Sequence, residues 1–189
     1  MPYIDDHALV ENDVILGDGV SVWAFTQIRS GAHIGDDTTV GSHTYIDKGV
    51  TIGERCKIQT GVRIFHGVTV LDGVFIGPGA LLTNDRRPRA MAPEGDLKKP
   101  EDWAVTPTTI GNGASLGAGA IIVAGCDVGD YAFVGAGAVV TRSVPGYAVV
   151  VGSPARRIGW VCSCGEAIEP EQPAAPCDVC GRIVEIETD

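Results

Sequence analysis

Two groups of residues in this sequence could carry chemistry. The first is the segment Leu81–Ala90, LLTNDRRPRA, in which an asparagine and an aspartate stand beside three arginines. Because the planar guanidinium of arginine makes paired hydrogen bonds to phosphate or carboxylate, this segment suits an anionic ligand. The second group is four cysteines near the C-terminus, at positions Cys162, Cys164, Cys177 and Cys180. Paired thiolates at such spacing are typical of tetrahedral zinc sites.

A six-residue repeat organises most of the chain and must position these groups. Every sixth residue is aliphatic from Val10 to Leu82 and again from Ile110 to Val140, and the residue two places earlier is small or β-branched. An amphipathic helix would need apolar residues three or four apart, so the pattern predicts short strands joined by turns. Glycines such as Gly77 and Gly129 are expected to permit the bends. Because one unit cannot bury its own apolar residues, successive coils must stack.

The composition narrows the class of protein and its partners. The 189 residues are 44% hydrophobic and 6% aromatic, with no run of eighteen apolar residues and no charged-then-apolar stretch after Met1. This predicts an unexported, cytoplasmic protein of one main domain without a membrane span. The net charge of −10 disfavours nucleic acid and anionic lipid, because either polyanion would be repelled.

The repeat stops between Leu82 and Ile110, where the chain is proline-rich and of mixed charge. We expect this segment, about residues 84–107, to leave the column as a loop. A loop extruded from a rigid scaffold is a common way to build a site, although a tolerated surface insertion would give the same pattern. The end of the repeat divides the sequence into a repeat domain, residues 1–158, and a cysteine-containing tail, residues 159–189.

The repeat resembles the hexapeptide-repeat, left-handed parallel β-helix proteins over roughly residues 8–158. That resemblance implies an all-β fold in which three hexads make one triangular coil and three subunits associate as a homotrimer. Most members of the family are acyltransferases. The segments 57–62, 75–90, 113–125 and 134–162 are similar, more narrowly, to the nucleotide-sugar 3-N-acetyltransferases. The chain departs from that pattern at Gln59-Thr60-Gly61 and Phe65-His66-Gly67, which puts the sugar more than the reaction in doubt.

The narrower resemblance implies transfer of an acetyl group from acetyl-CoA to the 3-amino group of a UDP- or dTDP-linked sugar, in surface polysaccharide (lipopolysaccharide) biosynthesis. It places Asn84 at the sugar amine. The residues assigned to the nucleotide sugar are Gln59, Asp85, Arg86 and Arg89. The pantetheine arm of acetyl-CoA is expected in a groove between subunits, beside Gly117, Ala118, Ala136 and Gly137, although small residues also suit a tight corner.

Three further assignments follow from residue type. His66 is a candidate general base, because histidine exchanges protons near neutral pH; a solvent-facing histidine on a turn is the alternative. The only cations between residues 100 and 181 are Arg142, Arg156 and Arg157. These three are assigned to the cofactor phosphates, and a charged end of the last coil is the alternative. Trp23 and Phe25 could stack on a base, although an early aromatic pair more often serves packing.

The four tail cysteines are predicted to hold a structural zinc ion, because all four ligands would be sulfur and none is left for water. The first pair has a one-residue spacer, shorter than usual, and two disulfides are the alternative. A reducing cytoplasm favours zinc over disulfides. A tail this short cannot form a core of its own, so metal would replace burial. Cys56 and Cys126 occupy inward places of the repeat and are interpreted as core.

Three other functions compete with this hypothesis. A zinc carbonic anhydrase on the same fold needs three histidines that meet between subunits, but the chain has only His7, His33, His43 and His66, without a closely spaced pair on the later coils. The second is a non-catalytic β-helix scaffold. The third is an acyltransferase acting on another amine or on a hydroxyl acceptor, because the fold fixes neither.

Overall fold

The computed structural model describes residues 1–169 and 174–186, in which short strands wind into a three-sided column. Face A contains the parallel strands β1 (Tyr3–Ile4), β4 (Ser21–Val22), β7 (Thr39–Val40), β10 (Lys57–Ile58), β13 (Phe75–Ile76), β16 (Ser115–Leu116), β18 (Phe133–Val134) and β20 (Ala148–Val151). Face B contains β2 (Leu9–Val10), β5 (Gln27–Ile28), β8 (Tyr45–Ile46), β11 (Arg63–Ile64), β14 (Leu81–Leu82), β17 (Ile121–Ile122) and β19 (Val139–Val140). Face C contains β3 (Ile15–Leu16), β6 (His33–Ile34), β9 (Thr51–Ile52), β12 (Val68–Val70) and β15 (Thr108–Ile110), and single bridges at Val128 and Val144 extend it.

The register confirms the predicted all-β, parallel β-helix. Ile58 pairs with Ile76 and with Val40, so one coil takes three hexads. The aliphatic side chain of each repeat fills the inside of the column, and Ile64 and Leu116 are both fully buried. The described residues contain no α-helix. Their one 3-10 helix, Pro100–Asp102, is too short to cross a membrane.

Glycines at the corners either allow close stacking of coils or adopt a left-handed backbone conformation that makes the bend. The prediction that Gly77 and Gly129 permit the bends is wrong. Neither has a positive φ. A Cβ on Gly77 would lie 2.6 Å from the backbone nitrogen of Ala118, so this glycine allows neighbouring coils to stack closely. The left-handed corner residue comes two places later, at Gly79 (φ 68°) and Tyr131 (φ 56°).

We expect Gly77→Ala to destabilise the column by about 1–3 kcal/mol, because the added methyl group would overlap backbone that cannot move independently. The matched control is Gly159→Ala, since a Cβ at Gly159 meets no atom within 4 Å. Urea unfolding of the two variants measures the difference. Equal losses of stability would contradict this account of Gly77.

The segment between β14 and β15 leaves the column, as predicted for residues 84–107. Its two ends are joined by one hydrogen bond, from the Thr106 N–H to the Asn84 carbonyl at 3.1 Å. The chain that leaves the loop is bonded to the preceding coil, since the Thr108 N–H donates to the Gly67 carbonyl at 3.2 Å. Within the loop, Met91 and Leu97 form an antiparallel bridge, and residues Pro100–Asp102 form a 3-10 turn. The loop is therefore anchored at one corner of the column.

The tail packs on the last coil. Strand β21 (Arg156–Val161) runs antiparallel to β20 on one side and to β22 (Ala167–Ile168) on the other. Strands β23 (Ala174–Pro176) and β24 (Ile183–Glu185) form a separate hairpin. A small apolar cluster of Cys162, Ile168, Cys177 and Val184 lies against Tyr147 and Trp160. Strand β21 therefore crosses residue 158, the predicted domain boundary, and joins the column to the tail.

Candidate functional site

One corner of the column brings together residues that the sequence assigned to catalysis and to cofactor binding. This corner, called edge BC, follows each strand of face B. The register stacks Ile64, Leu82, Ile122 and Val140 on one another. The residues two places further along are His66, Asn84, Ala124 and Arg142. With about 4.8 Å between stacked strands, Asn84 lies one coil above His66 and two coils below Arg142.

His66 is half-buried and its ring orientation is fixed. Its Nδ1 lies 2.7 Å from the carbonyl oxygen of Lys48, which can only accept, so Nδ1 carries the hydrogen and Nε2 keeps its lone pair. The His66 backbone N–H donates to Asp47 Oδ2 at 3.2 Å. Burial raises the pKa of Asp47, but hydrogen bonds from the Lys48 and His66 N–H groups and from Tyr45 outweigh it and lower that pKa. Asp47 is thus a carboxylate that holds the turn bearing His66.

Asn84 stands at the root of the loop with its side chain half-buried. Its backbone carbonyl is held by Thr106, whereas its side-chain amide has no hydrogen-bond partner within residues 1–169 and 174–186. Asp85 Oδ1 accepts the Arg87 N–H at 2.7 Å, which orients the arginine segment. The Asn84 amide is therefore available to a ligand at a fixed position.

The loop contains two cationic clefts that share Asp85, Lys98 and Trp103. One has a volume of about 480 Å³ and is also lined by Pro88, Arg89, Ala90 and Lys99. The other has a volume of about 430 Å³ and is also lined by Arg86, Arg87, Ala104 and Thr106. Sequence analysis missed Lys98, Lys99 and Trp103, although two lysines and a tryptophan in a segment expected outside the column were a usable signal.

A third cleft, of about 400 Å³, brings together the three arginines assigned to the cofactor phosphates. Arg142 comes from the corner after β19, and Arg156 and Arg157 come from the start of β21. The guanidinium carbon of Arg157 lies 4.6 Å from the ring centroid of Trp160, a cation–π contact. This arginine cleft concentrates positive charge at the end of an acidic protein.

Other predicted residues lie on a different corner, edge AB, which follows each strand of face A. They are Gln59, Gly117, Ala118, Ala136 and Gly137, together with Trp23 and Phe25. Within one chain, face B separates them from Asn84. Gly117 is needed for coil stacking, since a Cβ there would lie 2.4 Å from the Ala136 nitrogen, and Gly137 has a φ of 66°. Trp23 packs against Tyr3, with ring centroids 5.6 Å apart.

The four tail cysteines form a compact cluster with Sγ atoms within 4.8 Å of one another. Cys162 Sγ lies 3.5 Å from Cys180 Sγ, and Cys164 Sγ lies 3.7 Å from Cys177 Sγ. A tetrahedral zinc with bonds of about 2.3 Å requires separations of about 3.8 Å, whereas a disulfide requires about 2.05 Å. The donor set therefore fits zinc. The backbone N–H of Cys164 helps lower the pKa of Cys162 to about 6, which favours the thiolate form that binds metal.

The remaining cysteines and histidines form no second site among the residues described. Cys56 and Cys126 are buried in the column, and burial raises the pKa of both thiols. Among described residues, the tail cysteines are the one group of three or more side chains placed to bind a metal. His7 and His43 instead flank the ring of Phe25, at 5.5 and 5.0 Å.

The fold and this corner define a class: a parallel β-helix of hexapeptide repeats with a cationic loop and a cationic cleft near one edge. The family model "Bacterial transferase hexapeptide (six repeats)" matches residues 31–66 and 107–142. The chain thus contains hexapeptide repeats that match this family model over part of its length. The structure is similar to the acetyltransferase domain of PglB from Neisseria gonorrhoeae FA1090, with a TM-score of 0.54 and 22% identity over 80% of this chain and 57% of that one. It is also similar to WeeI from Acinetobacter baumannii AYE, with a TM-score of 0.54 and 25% identity over 82% and 57% of the two chains.

Two relatives with similar sequences are acetyltransferases. The chain is 48% identical over 75 residues to dTDP-3-amino-3,6-dideoxy-alpha-D-galactopyranose 3-N-acetyltransferase from Aneurinibacillus thermoaerophilus, a match covering 40% of this chain and 38% of that protein. It is 33% identical over 87 residues to the galactoside O-acetyltransferase of Escherichia coli (strain K12), covering 46% and 41% of the two proteins. The matches therefore span less than half the length of these relatives.

Proposed function

We propose that the chain is an acetyl-CoA-dependent N-acetyltransferase that acts on the 3-amino group of a UDP- or dTDP-linked sugar in surface polysaccharide biosynthesis. The observation that carries this proposal is the alignment of His66, Asn84 and Arg142 along edge BC, beside a cationic loop. The relative that acetylates a 3-amino nucleotide sugar supports the choice of acceptor. Residues 1–158 would form the transferase, residues 159–189 a metal-stabilised tail, and acetyl-CoA would be drawn from the cytoplasm.

The reaction forms one bond and breaks another. The sugar amine attacks the carbonyl carbon of the acetyl thioester, a nitrogen–carbon bond forms, and the carbon–sulfur bond breaks. In our proposal the Asn84 side-chain oxygen accepts a hydrogen bond from the amine and directs its lone pair to the thioester. His66 Nε2 accepts the proton that the nitrogen loses and then gives it to the departing thiolate of coenzyme A, so the products are the amide and the free thiol.

The nucleotide end of the sugar substrate would occupy the two loop clefts, and the phosphate end of coenzyme A would occupy the arginine cleft. Arg86, Arg89 and Lys98 suit the diphosphate of a nucleotide sugar, and Trp103, which is 38% exposed, offers an aromatic side chain on which a base can stack. Arg142, Arg156 and Arg157 suit the phosphates of coenzyme A. In a homotrimer, edge AB of a neighbouring subunit would add Gln59 and the small residues at Gly117 and Ala136 to this groove.

Mass spectrometry of reactions with acetyl-CoA and a panel of nucleotide sugars tests the proposal. We expect the mass gain of one acetyl group on a 3-amino sugar linked to UDP or dTDP. Acetylation of hydroxyl sugars alone would favour the O-acetyltransferase alternative. No acetylation and no thermal stabilisation by acetyl-CoA would favour a scaffold.

His66→Ala should lower kcat by about 100-fold, because the amine would lose its general base. Steady-state kinetics of the variant and the wild-type protein measures the effect. His33→Ala, an exposed histidine on face C, is the control. Equal kcat for the two variants would exclude His66 as the base.

A further inference from the structure

The tail and the arginine cleft share strand β21. Its first residues, Arg156 and Arg157, line the cleft, and its last residue, Val161, immediately precedes Cys162 of the cysteine cluster. The strand is hydrogen-bonded on one side to the last coil, where Val150 pairs with Arg157. On the other side it is bonded to β22, where Trp160 pairs with Ile168. Strand β21 therefore connects the metal-binding cluster to the cationic cleft directly.

Trp160 provides a second connection, through side chains. It packs against the main core of the column and also against the tail cluster of Cys162, Ile168, Cys177 and Val184. The indole also contacts Arg157, whose guanidinium carbon lies 4.6 Å from the ring centroid. Contacts thus lead from the tail cluster, which includes two cysteines, through one indole ring to a cation of the cleft.

Two of the four buried members of the tail cluster are cysteines of the metal-binding set. The cluster is too small to hold together by burial alone, so its packing depends on a metal that joins the four sulfurs. Loss of the metal would remove support from beneath Trp160. The indole would then no longer present a fixed face to Arg157, and the guanidinium would lose its preferred position in the cleft.

We propose that Trp160 is a positioning residue through which the metal-loaded tail holds Arg157 in place and so sets the affinity of the arginine cleft for coenzyme A. The inference rests on the proposed function in taking coenzyme A as the ligand of the cleft. The tail is, in this view, a part of the cofactor site rather than only an appendage to the column.

Calorimetric titration of coenzyme A into zinc-loaded and chelator-stripped protein tests the coupling. We expect stripping to raise the Kd of the wild-type protein by roughly three- to tenfold, the range of a partly desolvated cation–π contact. Trp160→Leu should raise Kd by a similar factor while zinc content is retained, and Trp160→Phe should restore most of the affinity. In turnover, Trp160→Leu should raise KM for acetyl-CoA and leave kcat unchanged.

Two arginine variants form a matched pair. Arg157→Gln should weaken coenzyme A binding and abolish the response to stripping, because the coupled cation is gone. Arg142→Gln should weaken binding but keep the response, because Arg142 belongs to a different element. An Arg157→Gln variant that still responds to stripping, or a wild-type Kd that ignores the metal, overturns the inference.

A measurement without ligand separates this inference from the proposed function. Phenylglyoxal modifies accessible arginines, and peptide mass spectrometry resolves the rate at each position. Stripping should accelerate modification of Arg157 and leave Arg142 unchanged. Unchanged modification rates at both residues would overturn the coupling. If stripping accelerates modification of Arg157 but the zinc-loaded protein does not bind coenzyme A, only the proposed ligand of the cleft is overturned.

Discussion

Asn84→Ala should lower kcat for acetylation of a 3-amino nucleotide sugar by about 100- to 1,000-fold, the cost of losing one fixed polar contact to the reacting group. The side-chain amide of Asn84 has no partner among the described residues, so its removal breaks no internal hydrogen bond. We therefore expect an unchanged melting temperature and an unchanged Kd for coenzyme A. Steady-state kinetics with a thermal unfolding curve for each variant provides the measurement.

The column offers a matched control for this variant. Val10, Ile28, Ile46, Ile64 and Leu82 are stacked along face B, so Asn12 occupies the same corner position as Asn84, four coils earlier. Asn12→Ala makes the same chemical change on the same edge, far from the loop. It should leave kcat unaltered. A variant of Asn84 that turns over as fast as the Asn12 variant would remove this residue from the mechanism.

The second large expected effect is the loss of zinc when a tail cysteine is replaced. The purified chain should contain one equivalent of zinc, and Cys162→Ser or Cys177→Ser should reduce it to near zero, because a four-thiolate site contributes on the order of 10 kcal/mol of apparent binding energy. Both cysteines are buried in the tail cluster, so the variants should also lower the melting temperature of the tail. Elemental analysis and thermal unfolding measure the two effects.

Cys126→Ala is the control for the zinc experiment, since this cysteine is buried in the column and lies outside the tail cluster. It should keep one equivalent of zinc, although the lost sulfur lowers stability slightly. Metal-free wild-type protein with two disulfides, shown by mass spectrometry before and after reduction, would establish the alternative assignment of the four cysteines.

The sequence predicted the fold because a single physical requirement recurs in every hexad. Residues such as Ile64 and Leu116 must be buried, and six-residue spacing leaves them one shared interior. The same pattern does not specify which corner a residue occupies after an interruption. Leu82 pairs with Ile122, forty residues later, whereas Ile122 pairs with Val140, eighteen residues later. The alignment of Arg142 with Asn84 was therefore beyond sequence analysis.

Non-periodic segments were also hard to interpret. The loop follows no repeat, so nothing in the pattern placed Lys98 and Trp103 beside Asp85. The contact between Trp160 and Arg157 similarly depends on how β21 turns back along the last coil. By contrast, the clustering of the four tail cysteines was predictable, because two closely spaced cysteine pairs are a local sequence signal that does not depend on the repeat.

The stacking of coils along edge BC has a consequence for how such a protein can change its dimensions. Asn84 and Arg142 occupy equivalent corners two coils apart, so the span between them is a whole number of rungs of about 4.8 Å. Lengthening or shortening that span requires inserting or deleting a complete coil, since any smaller change would turn the inward side chains to the wrong face. The distance between Asn84 and Arg142 can therefore change only in steps of one coil. The length of a ligand that contacts both residues is restricted to the same steps.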